Sequence, residues 1–480
     1  MGLHLLKDIN SSPNIYRNML KLKYLVVFFL TTYTALGQEK SQYSLRDCIE
    51  FALQNHTKIK GVQLDEQIQL EKNKEIVGIA RPQVSATGQF QYLFVIPKQR
   101  IDAGAFDFSS SLSFFKVDTP AFIAYQNQPK EKYSEAQFGL QLNLSAGVQA
   151  SQILFESGVF VALKARKSLE ELSVLNIKRT EEEVKISVAK AYYNCVIAEK
   201  RIKLLDENIQ LLSSLEEMTL KSFKEGFAER IDADRLTVQK NNLITERDKI
   251  NNLVQLSYGL LKFQMGMPFN QAIRLTDDLN ADEVRSNIEL DRVVDYSNRI
   301  EMSILQKVKV LNGFDYERYK KGYLPTVAAA VSGSFGTQTI AFKELFTLPY
   351  FPTGAFVLNA SMPLYDGGTR KAKMNQARLN MLKNENDMLA LQQAVDLESS
   401  NARTQLRNSI MSLDSQEKNI ELAQKVYNIA QKKYKEGVGA NIEILQAETA
   451  LKEAKTNYFN SLYEAIIAKL DFQKSLGIFK

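Results

Sequence analysis

The residues with the greatest potential for catalysis are few and widely separated in this 480-residue chain. Its two cysteines, Cys48 and Cys195, lack the spacing of a redox or zinc motif. Past the first few residues the chain keeps one histidine, His56, beside a predicted helix end, where capping or packing is the expected role. The sequence shows neither a nucleophile elbow nor a phosphate-binding loop. It therefore predicts a protein that is not an enzyme and needs no cofactor and no metal.

The charge pattern excludes another class of function. The chain has 61 basic and 55 acidic residues, a net charge of +6, and the two signs are interleaved throughout. A nucleic-acid surface needs clustered basic residues, so no nucleic-acid partner is expected. Both cysteines are predicted to be buried thiols, and a disulfide between them stays open as the alternative in an exported chain.

The N-terminus has the pattern of a secretory signal. Two lysines precede an apolar run over 24–33, and the small residues Ala35 and Gly37 follow at the positions of a signal-peptidase site. The apolar run is shorter than the roughly 20 residues that a membrane span requires. We therefore expect a signal peptide over 1–37, with Met19 as a more ordinary start than Met1.

The chain repeats itself. FKEGFAERID at 223–232 matches YKEGVGANIE at 434–443 with an offset of 211, and ILFESG at 153–158 matches PLYDGG at 363–368 with an offset of 210. Self-similarity in this order indicates a tandem duplication of one structural plan.

Helical and alternating periods predict the same elements in each repeat. The first repeat, 38–270, is predicted to contain helix 43–80, strands 83–96 and 136–154, and helices 157–223 and 228–266. The second repeat, 271–480, is predicted to contain helix 289–321, strands 324–338 and 354–365, and helices 368–434 and 440–476. Each longest helix would measure about 100 Å at 1.5 Å per residue. Heptad spacing on these helices predicts lengthwise coiled-coil packing.

The predicted strands have one apolar and one uncharged polar face. In FGLQLNLSAGVQAS, residues 138–151, apolar side chains alternate with Gly, Gln, Asn and Ser. A soluble sheet could bury the apolar face against a core, but no surplus amphipathic helix remains in the sequence to cover four such strands.

A lipid bilayer accounts for this pattern. Strands can cross a bilayer only as a closed barrel, and the smallest such barrels have about eight strands. The chain is therefore predicted to supply a sector of an outer-membrane barrel that other copies complete. The side chains expected to face lipid are Phe138, Leu140, Leu142, Leu144, Phe356 and Leu358.

Several motifs together resemble a known family. They are YSLRDCIEFALQN at 43–55, QASQILFESG at 149–158, PLYDGG at 363–368, and YKEG followed by IEILQAETAL at 434–451. In this order they resemble the TolC-type outer-membrane efflux and secretion factors, and QFGLQLNLSAGVQASQILFESG is similar to the branch found in Bacteroidetes.

The resemblance implies a fold and an assembly. The fold would be mostly α with a β-barrel sector, the protomer of a homotrimer. Three copies would form a 12-stranded outer-membrane β-barrel continued by a 12-helix coiled-coil tunnel in the periplasm.

The resemblance also implies a function and partners. The trimer would be the passive exit duct from periplasm to exterior of a tripartite efflux pump or type I secretion system, in the outer membrane of a Gram-negative bacterium. A periplasmic membrane-fusion adaptor and an inner-membrane transporter of RND, ABC or MFS type would be its partners.

Adaptors dock at the helical turns of such factors. The matching positions are Gly226 and Phe227 in the first repeat and Gly437 and Val438 in the second.

In this family the entrance is narrowed by acidic residues and a Tyr–Arg–Asp network. The matching positions are Tyr434 and Glu443, with Asp232 as the counterpart of Glu443 in the first repeat. Gly439 replaces the arginine and Gln446 replaces the second acid, so the network is incomplete. For Asp232 a role as a solvated partner of the helix dipole is the alternative.

A different function fits part of the sequence. The heptads alone would suit an exported trimeric coiled-coil protein of structural or adhesive type, without a conducting pore. Such a stalk would need no detergent and would show no conductance. The sequence does not specify the exported substrate.

Overall fold

The computed structural model describes residues 42–102, 114–116, 119–126, 132–286, 289–347 and 349–479. The described chain is mostly helical. Its helices are α1 (Leu45–Asn55), α2 (Thr57–Ile79), α3 (Pro120–Gln126), α4 (Ser157–Lys224), α5 (Arg230–Met265), α6 (Ala281–Arg285), α7 (Ile300–Lys321), α8 (Thr369–Lys435) and α9 (Asn441–Ser475), with 3₁₀ turns η1 (Tyr296–Asn298) and η2 (Phe342–Phe346). None of these helices combines the length and apolar character of a membrane span. The predicted signal peptide, 1–37, lies outside the described residues.

Eight strands are present in the described ranges: β1 (Gln42–Tyr43), β2 (Gln83–Tyr92), β3 (Lys98–Asp102), β4 (Tyr133–Gln137), β5 (Leu142–Phe155), β6 (Arg274–Leu275), β7 (Thr326–Thr339) and β8 (Phe351–Ser361). Four of them form an antiparallel sheet in the order β2-β5-β7-β8. Strands β3 and β4 form a separate antiparallel hairpin, and β1 pairs with β6 in parallel.

The chain divides into two compact units that do not coincide with the two predicted repeats. The first unit takes residues up to Gln63, Ile177–Ile300 and Gln392–Lys480, and the second takes Leu64–Asn176 and Glu301–Leu391. The second unit contains the four-stranded sheet. The first contains several apolar clusters along its helices, one of them around Tyr192, Cys195 and Leu261. Each unit therefore contains segments of both repeats.

The helix predicted over 43–80 is in fact two helices. α1 ends at Asn55 and α2 begins at Thr57, with His56 between them in an extended conformation. The break has a tertiary cause that the local sequence does not show. A Cβ atom on Gly266, which ends α5, would lie 2.8 Å from the Asn55 carbonyl oxygen, so the end of α5 abuts the chain at this point.

The second repeat shows the same arrangement, and the helix predicted over 289–321 starts only at Ile300. Asp295 caps the turn η1 before it, where its carboxylate accepts a hydrogen bond from the Ser297 amide at 2.9 Å. A Cβ atom on Gly477 would lie 2.7 Å from the Asn298 carbonyl oxygen. Both repeats thus interrupt the N-terminal helical segment where the C-terminal end of another helix abuts it.

The strand predicted over 136–154 is also divided. β4 ends at Gln137 and pairs with β3, whereas β5 begins at Leu142 and pairs with β2 and β7. Gly139 between them has φ of +100°, a backbone conformation that ends a strand. The predicted strand 83–96 likewise ends at Tyr92. The segment between the two predicted strands therefore contributes to a hairpin of its own, β3–β4.

Candidate functional site

The four-stranded sheet keeps apolar and polar side chains on opposite faces. Phe90 lies opposite Leu144, and Val331 lies opposite Phe356, so apolar residues are paired across strands. On the other face the Ser334 and Thr353 hydroxyls are 2.7 Å apart. None of these strands contains Asp, Glu, Lys or Arg, although 24% of the chain is charged. The register preserves the two-faced pattern over most of the sheet, up to the shift near Ile153 and Phe155 at the end of β5.

The sheet is open, and its edge strands are uncovered. Every residue of β2 and every residue of β8 is exposed, and neither strand pairs with a further strand of the described chain. Unpaired, apolar edge strands are a template for association with another chain. The sheet of the described chain therefore has two free edges, β2 and β8.

The residues predicted to face lipid differ in their exposure. Phe356 is 70% exposed, and Leu358, Phe138 and Leu140 are also exposed. Phe138 and Leu140 lie in the connection before β5, not in the strand.

Leu142 is only 6% exposed, and Leu144 is half-buried. The turn η2 contacts β5 and β7 in the same unit. Its Phe342 ring lies edge-on to Phe90 at 6.2 Å between centroids. Leu142 is therefore a packing residue within this chain, and its contact with lipid stays a prediction.

Gly147 on the polar face of β5 allows close approach to β7. A Cβ atom at this position would lie 2.6 Å from the Ser334 Cβ and 2.8 Å from the Gly333 carbonyl oxygen. The polar face is thus built from small and uncharged side chains where the strands are closest.

The two helical turns have the same hydrogen-bond motif. After α4, the Gly226 amide donates to the Phe223 carbonyl at 3.1 Å, and the Phe227 amide donates to the Ser222 carbonyl at 2.8 Å. After α8, Gly437 and Val438 repeat this pattern. Both glycines have positive φ, +83° and +74°, the geometry of a Schellman motif.

The residues after these glycines are apolar and unusually exposed. Phe227 is 84% exposed and Val438 is 79% exposed. A Cβ atom added at either glycine meets nothing within 4 Å, so the glycines are needed for their backbone conformation and not for space.

The structure places the predicted gate residues close to these turns but does not join them. Glu443 and Gln446 are exposed on one side of α9, in its first two turns. Asp232 is half-buried at the start of α5, where its carboxylate lies 3.7 Å from Arg235, and its carbonyl accepts a hydrogen bond from Asn441. Within the described chain no hydrogen bond or ion pair connects Glu443 with the other predicted gate residues.

Tyr434 makes an internal contact. Its hydroxyl lies 2.9 Å from the Thr219 hydroxyl, and Thr219 is buried. The bond links the last turns of α4 and α8. Tyr434 therefore joins two helices of one copy, which differs from the network that the family resemblance implies.

A buried carboxylate near the turns was not predicted. Glu448 on α9 is 1% exposed and lies on the same side as Ile444 and Leu451. The spacing of Ile444, Glu448 and Leu451 along a helix was the signal available in the sequence, because it places an acid within an apolar stripe.

The surroundings of His56, Cys48 and Cys195, the three residues considered for catalysis, indicate structural roles. His56 accepts a hydrogen bond from the Lys58 amide through Nδ1 at 3.1 Å, and burial followed by the Lys58 charge lowers its pKa. Cys48 and Cys195 are buried thiols in one apolar cluster, and no disulfide joins them. Burial raises the pKa of Cys195 to about 12, which leaves it a protonated, unreactive thiol at neutral pH.

Comparison with known proteins agrees with this geometry. The pattern that defines the family "Outer membrane efflux protein" matches residues 316–478. The outer membrane protein TolC of Vibrio cholerae is 18% identical over 337 residues, which cover 70% of this chain and 76% of that protein. Residues 316–478 thus match the outer membrane efflux protein family, and the chain is similar to TolC over 70% of its length.

Solved structures of TolC-family channels share the fold. The structure of CusC superposes with a TM-score of 0.68 at 12% identity, covering 92% of this chain and 95% of that one. VceC from Vibrio cholerae gives a TM-score of 0.64 at 14% identity, covering 90% and 96%. The predicted resemblance to the TolC-type factors is confirmed, and the closer similarity to the Bacteroidetes branch stays a prediction.

The similarity to this family supports the general function of an outer-membrane efflux channel. The family is one of outer-membrane efflux channels, and it is a transport family, not an enzyme family. The relatives are outer-membrane proteins of Gram-negative bacteria.

Proposed function

We propose that this chain is one protomer of a homotrimeric exit duct. Three copies would close a 12-stranded β-barrel in the outer membrane, and their helices would form a 12-helix coiled-coil tunnel in the periplasm. The duct would serve a tripartite efflux pump or a type I secretion system as a passive route from periplasm to exterior.

The uncharged, uncovered sheet with two open edges carries this proposal. In water its apolar face and unpaired edges would aggregate. In lipid the backbone must be paired within the protein, which requires ring closure. Four strands are fewer than the roughly eight of the smallest transmembrane barrels, so closure requires further copies. Three copies would supply twelve strands.

Exposed apolar stripes on the helices support association with other copies. On α5 the stripe has a spacing of three and four residues and consists of Leu253, Leu256, Leu260 and Phe263. On α8 a similar stripe consists of Leu422, Val426 and Ile429. This spacing suits knobs-into-holes packing against neighbouring helices. The helices of one copy thus leave seams that other copies could fill.

The two turns would be the docking points for a periplasmic membrane-fusion adaptor. Gly226 and Gly437 fix the turns, and Phe227 and Val438 present apolar side chains to the outside. Exposed aromatic and aliphatic anchors of this kind are typical of protein–protein contacts. The adaptor would connect the duct to an inner-membrane transporter of RND, ABC or MFS type.

Glu443 would face the pore near the entrance, with Asp232, Tyr434 and Gln446 near it. In a trimer three copies of the Glu443 carboxylate would form a ring of negative charge. Such a ring raises the local concentration of cations at a narrow mouth. The exposure of Glu443 and Gln446 on one side of α9 supports this role.

Conductance in planar bilayers tests the proposal. The purified chain should require detergent and should form discrete, water-filled channels when it is added to a bilayer. A trimeric structural or adhesive stalk, the alternative function, should stay in solution without detergent and should give no channels. Absence of channels from a well-folded, detergent-free preparation would therefore reject the duct.

A further inference from the structure

Glu448 is a buried acid for which the proposed duct gives no role. It is the eighth residue of α9, about two turns from the helix start, and is 1% exposed. Its neighbours on α9 belong to an apolar cluster that also contains Leu212 of α4, Leu236 of α5 and Tyr427 of α8. This cluster, termed the tip cluster below, holds four helices together close to the helical turns. Glu448 thus brings a carboxyl group into the packing of all four helices.

The carboxyl group has no compensating partner. Neither of its oxygens has a hydrogen-bond partner among the described residues. Lys452, one turn further along α9, is the cation whose charge lowers the pKa of Glu448. Its Nζ, however, donates a hydrogen bond to the Glu246 carboxylate of α5 at 2.9 Å.

Among the described residues, Lys452 is the one charged group that acts on the pKa of Glu448. From α8 the titratable neighbour is Tyr427, whose hydroxyl accepts a hydrogen bond from Gln431 at 3.2 Å. The buried residues of α4 and α5 in the tip cluster are leucines.

In the first repeat, an acid in the matching region has hydrogen-bond partners. There Glu216 of α4 accepts hydrogen bonds from Thr237 and Lys240 of α5, and the Lys240 bond lowers the pKa of Glu216. The 211-residue offset places Tyr427 at the position of Glu216, Glu448 at that of Thr237, and Leu451 at that of Lys240. The second repeat has therefore moved the acid to the facing helix and replaced its cationic partner with leucine.

An ionised carboxylate in this position would be buried without compensation, which is costly, whereas burial of the neutral acid costs much less. We propose that Glu448 is a proton-binding group that controls how tightly the four helices of the tip cluster pack. The protonated acid allows close packing, and ionisation loosens α9 from its neighbours.

The direction of the pH effect follows from the two protonation states. Burial raises the pKa of Glu448 to about 7, whereas an exposed glutamate has a pKa of about 4.3. The packed state therefore holds a proton that the opened state releases. The stabilisation by Glu448 is complete below about pH 4, falls as the pH rises, and is lost once the pH has passed about 7.

Hydrogen–deuterium exchange of the full chain in detergent tests this inference. Peptides covering 423–435 and 441–455 should be compared at pH 5.0 and pH 7.5, after division by the intrinsic chemical exchange rate. We expect the opening equilibrium to increase roughly tenfold or more between these two values and to level off above about pH 8.

Two neutral variants and one control identify the group. Glu448→Gln and Glu448→Leu should both abolish the pH dependence, and the second variant covers the case in which a buried amide impairs folding. Glu453→Gln, at an exposed position five residues along α9, should retain it. Wild-type protection that does not change with pH, or a pH dependence that persists in both Glu448 variants, would overturn the inference.

The exchange measurement does not depend on conduction. The consequence that the entrance opens more readily at higher pH rests on the proposed function. A chain that shows the exchange effect without forming channels would reject the duct and keep the proton-binding role of Glu448.

Discussion

Glu443 and Glu448 lie on the same helix, yet their carboxylates have opposite surroundings. A separation of five residues turns the helix by about 140°, so one side chain points away from the tip cluster and the other into it. Glu443 is exposed and Glu448 is buried. The same residue type therefore suits a pore ring at one position and a proton-binding core position at the other.

Replacing Glu443 tests the pore ring. Glu443→Gln removes one negative charge per copy and should shift the reversal potential of the channel in a salt gradient toward zero, because cations are no longer concentrated at the mouth. Glu464→Gln, at another exposed position on α9, is the control and should leave the reversal potential unchanged. An unchanged reversal potential in the Glu443 variant would show that its side chain does not face the pore.

Charged replacements at the two turns test the docking contacts. Phe227→Asp and Val438→Asp should abolish efflux in cells, because a charge replaces an apolar anchor at the adaptor contact. Both side chains are largely exposed, so folding and assembly should be unaffected. The oligomeric state of each variant serves as the control for assembly. Full efflux by both variants would reject the assignment of these residues.

At the scale of elements, the glycines that end α5 and α9 each lie directly against the backbone of another segment. Gly477 has φ of +67°, and its added Cβ would lie 2.7 Å from the Asn298 carbonyl oxygen. Gly266 repeats this contact in the first repeat. The two repeats therefore share a junction that tolerates only glycine.

Gly477→Ala should destabilise the protein clearly. The backbone conformation alone costs about 1–3 kcal/mol for a residue with a Cβ, and the steric contact adds to this. Gly313→Ala is the matched control, because Gly313 lies inside α7 and its added Cβ meets nothing within 4 Å. The control should gain about 0.5–1 kcal/mol. Thermal unfolding in detergent measures both, and equal midpoints for the two variants would contradict the close junction.

Much of the element order could be predicted from the sequence, and the reasons differ between elements. The long helices show heptad spacing without Pro, and the strands alternate without charge, so local patterns were sufficient. The break at His56 could not be predicted, because Gly266 imposes it from 210 residues away. The late start of α7 is similar, since the capping by Asp295 and the contact with Gly477 decide it.

The candidate site was predicted in part. The glycine turns and the exposure of Phe227 and Val438 follow from the repeated KEG motif. The Tyr434–Thr219 hydrogen bond could not be predicted, because it depends on how α4 and α8 are aligned. The burial of Leu142 depends on the position of η2, which no periodicity encodes.

At the scale of the whole molecule, the described chain leaves two strand edges unpaired and several apolar stripes exposed. Its sheet is uncharged, exposed along both edge strands, and open. The edge strands β2 and β8 have unpaired backbone N–H and C=O groups, and the apolar stripes on α5 and α8 are exposed. Both features are explained if β2 of one copy pairs with β8 of the next.

The number of copies in the detergent-solubilised particle tests this account most directly. Light scattering after size-exclusion chromatography, with the detergent mass subtracted, gives the protein mass of the particle. The account predicts three chains, the number that gives a 12-stranded closed barrel. A stable single chain that remains in solution without detergent would contradict it.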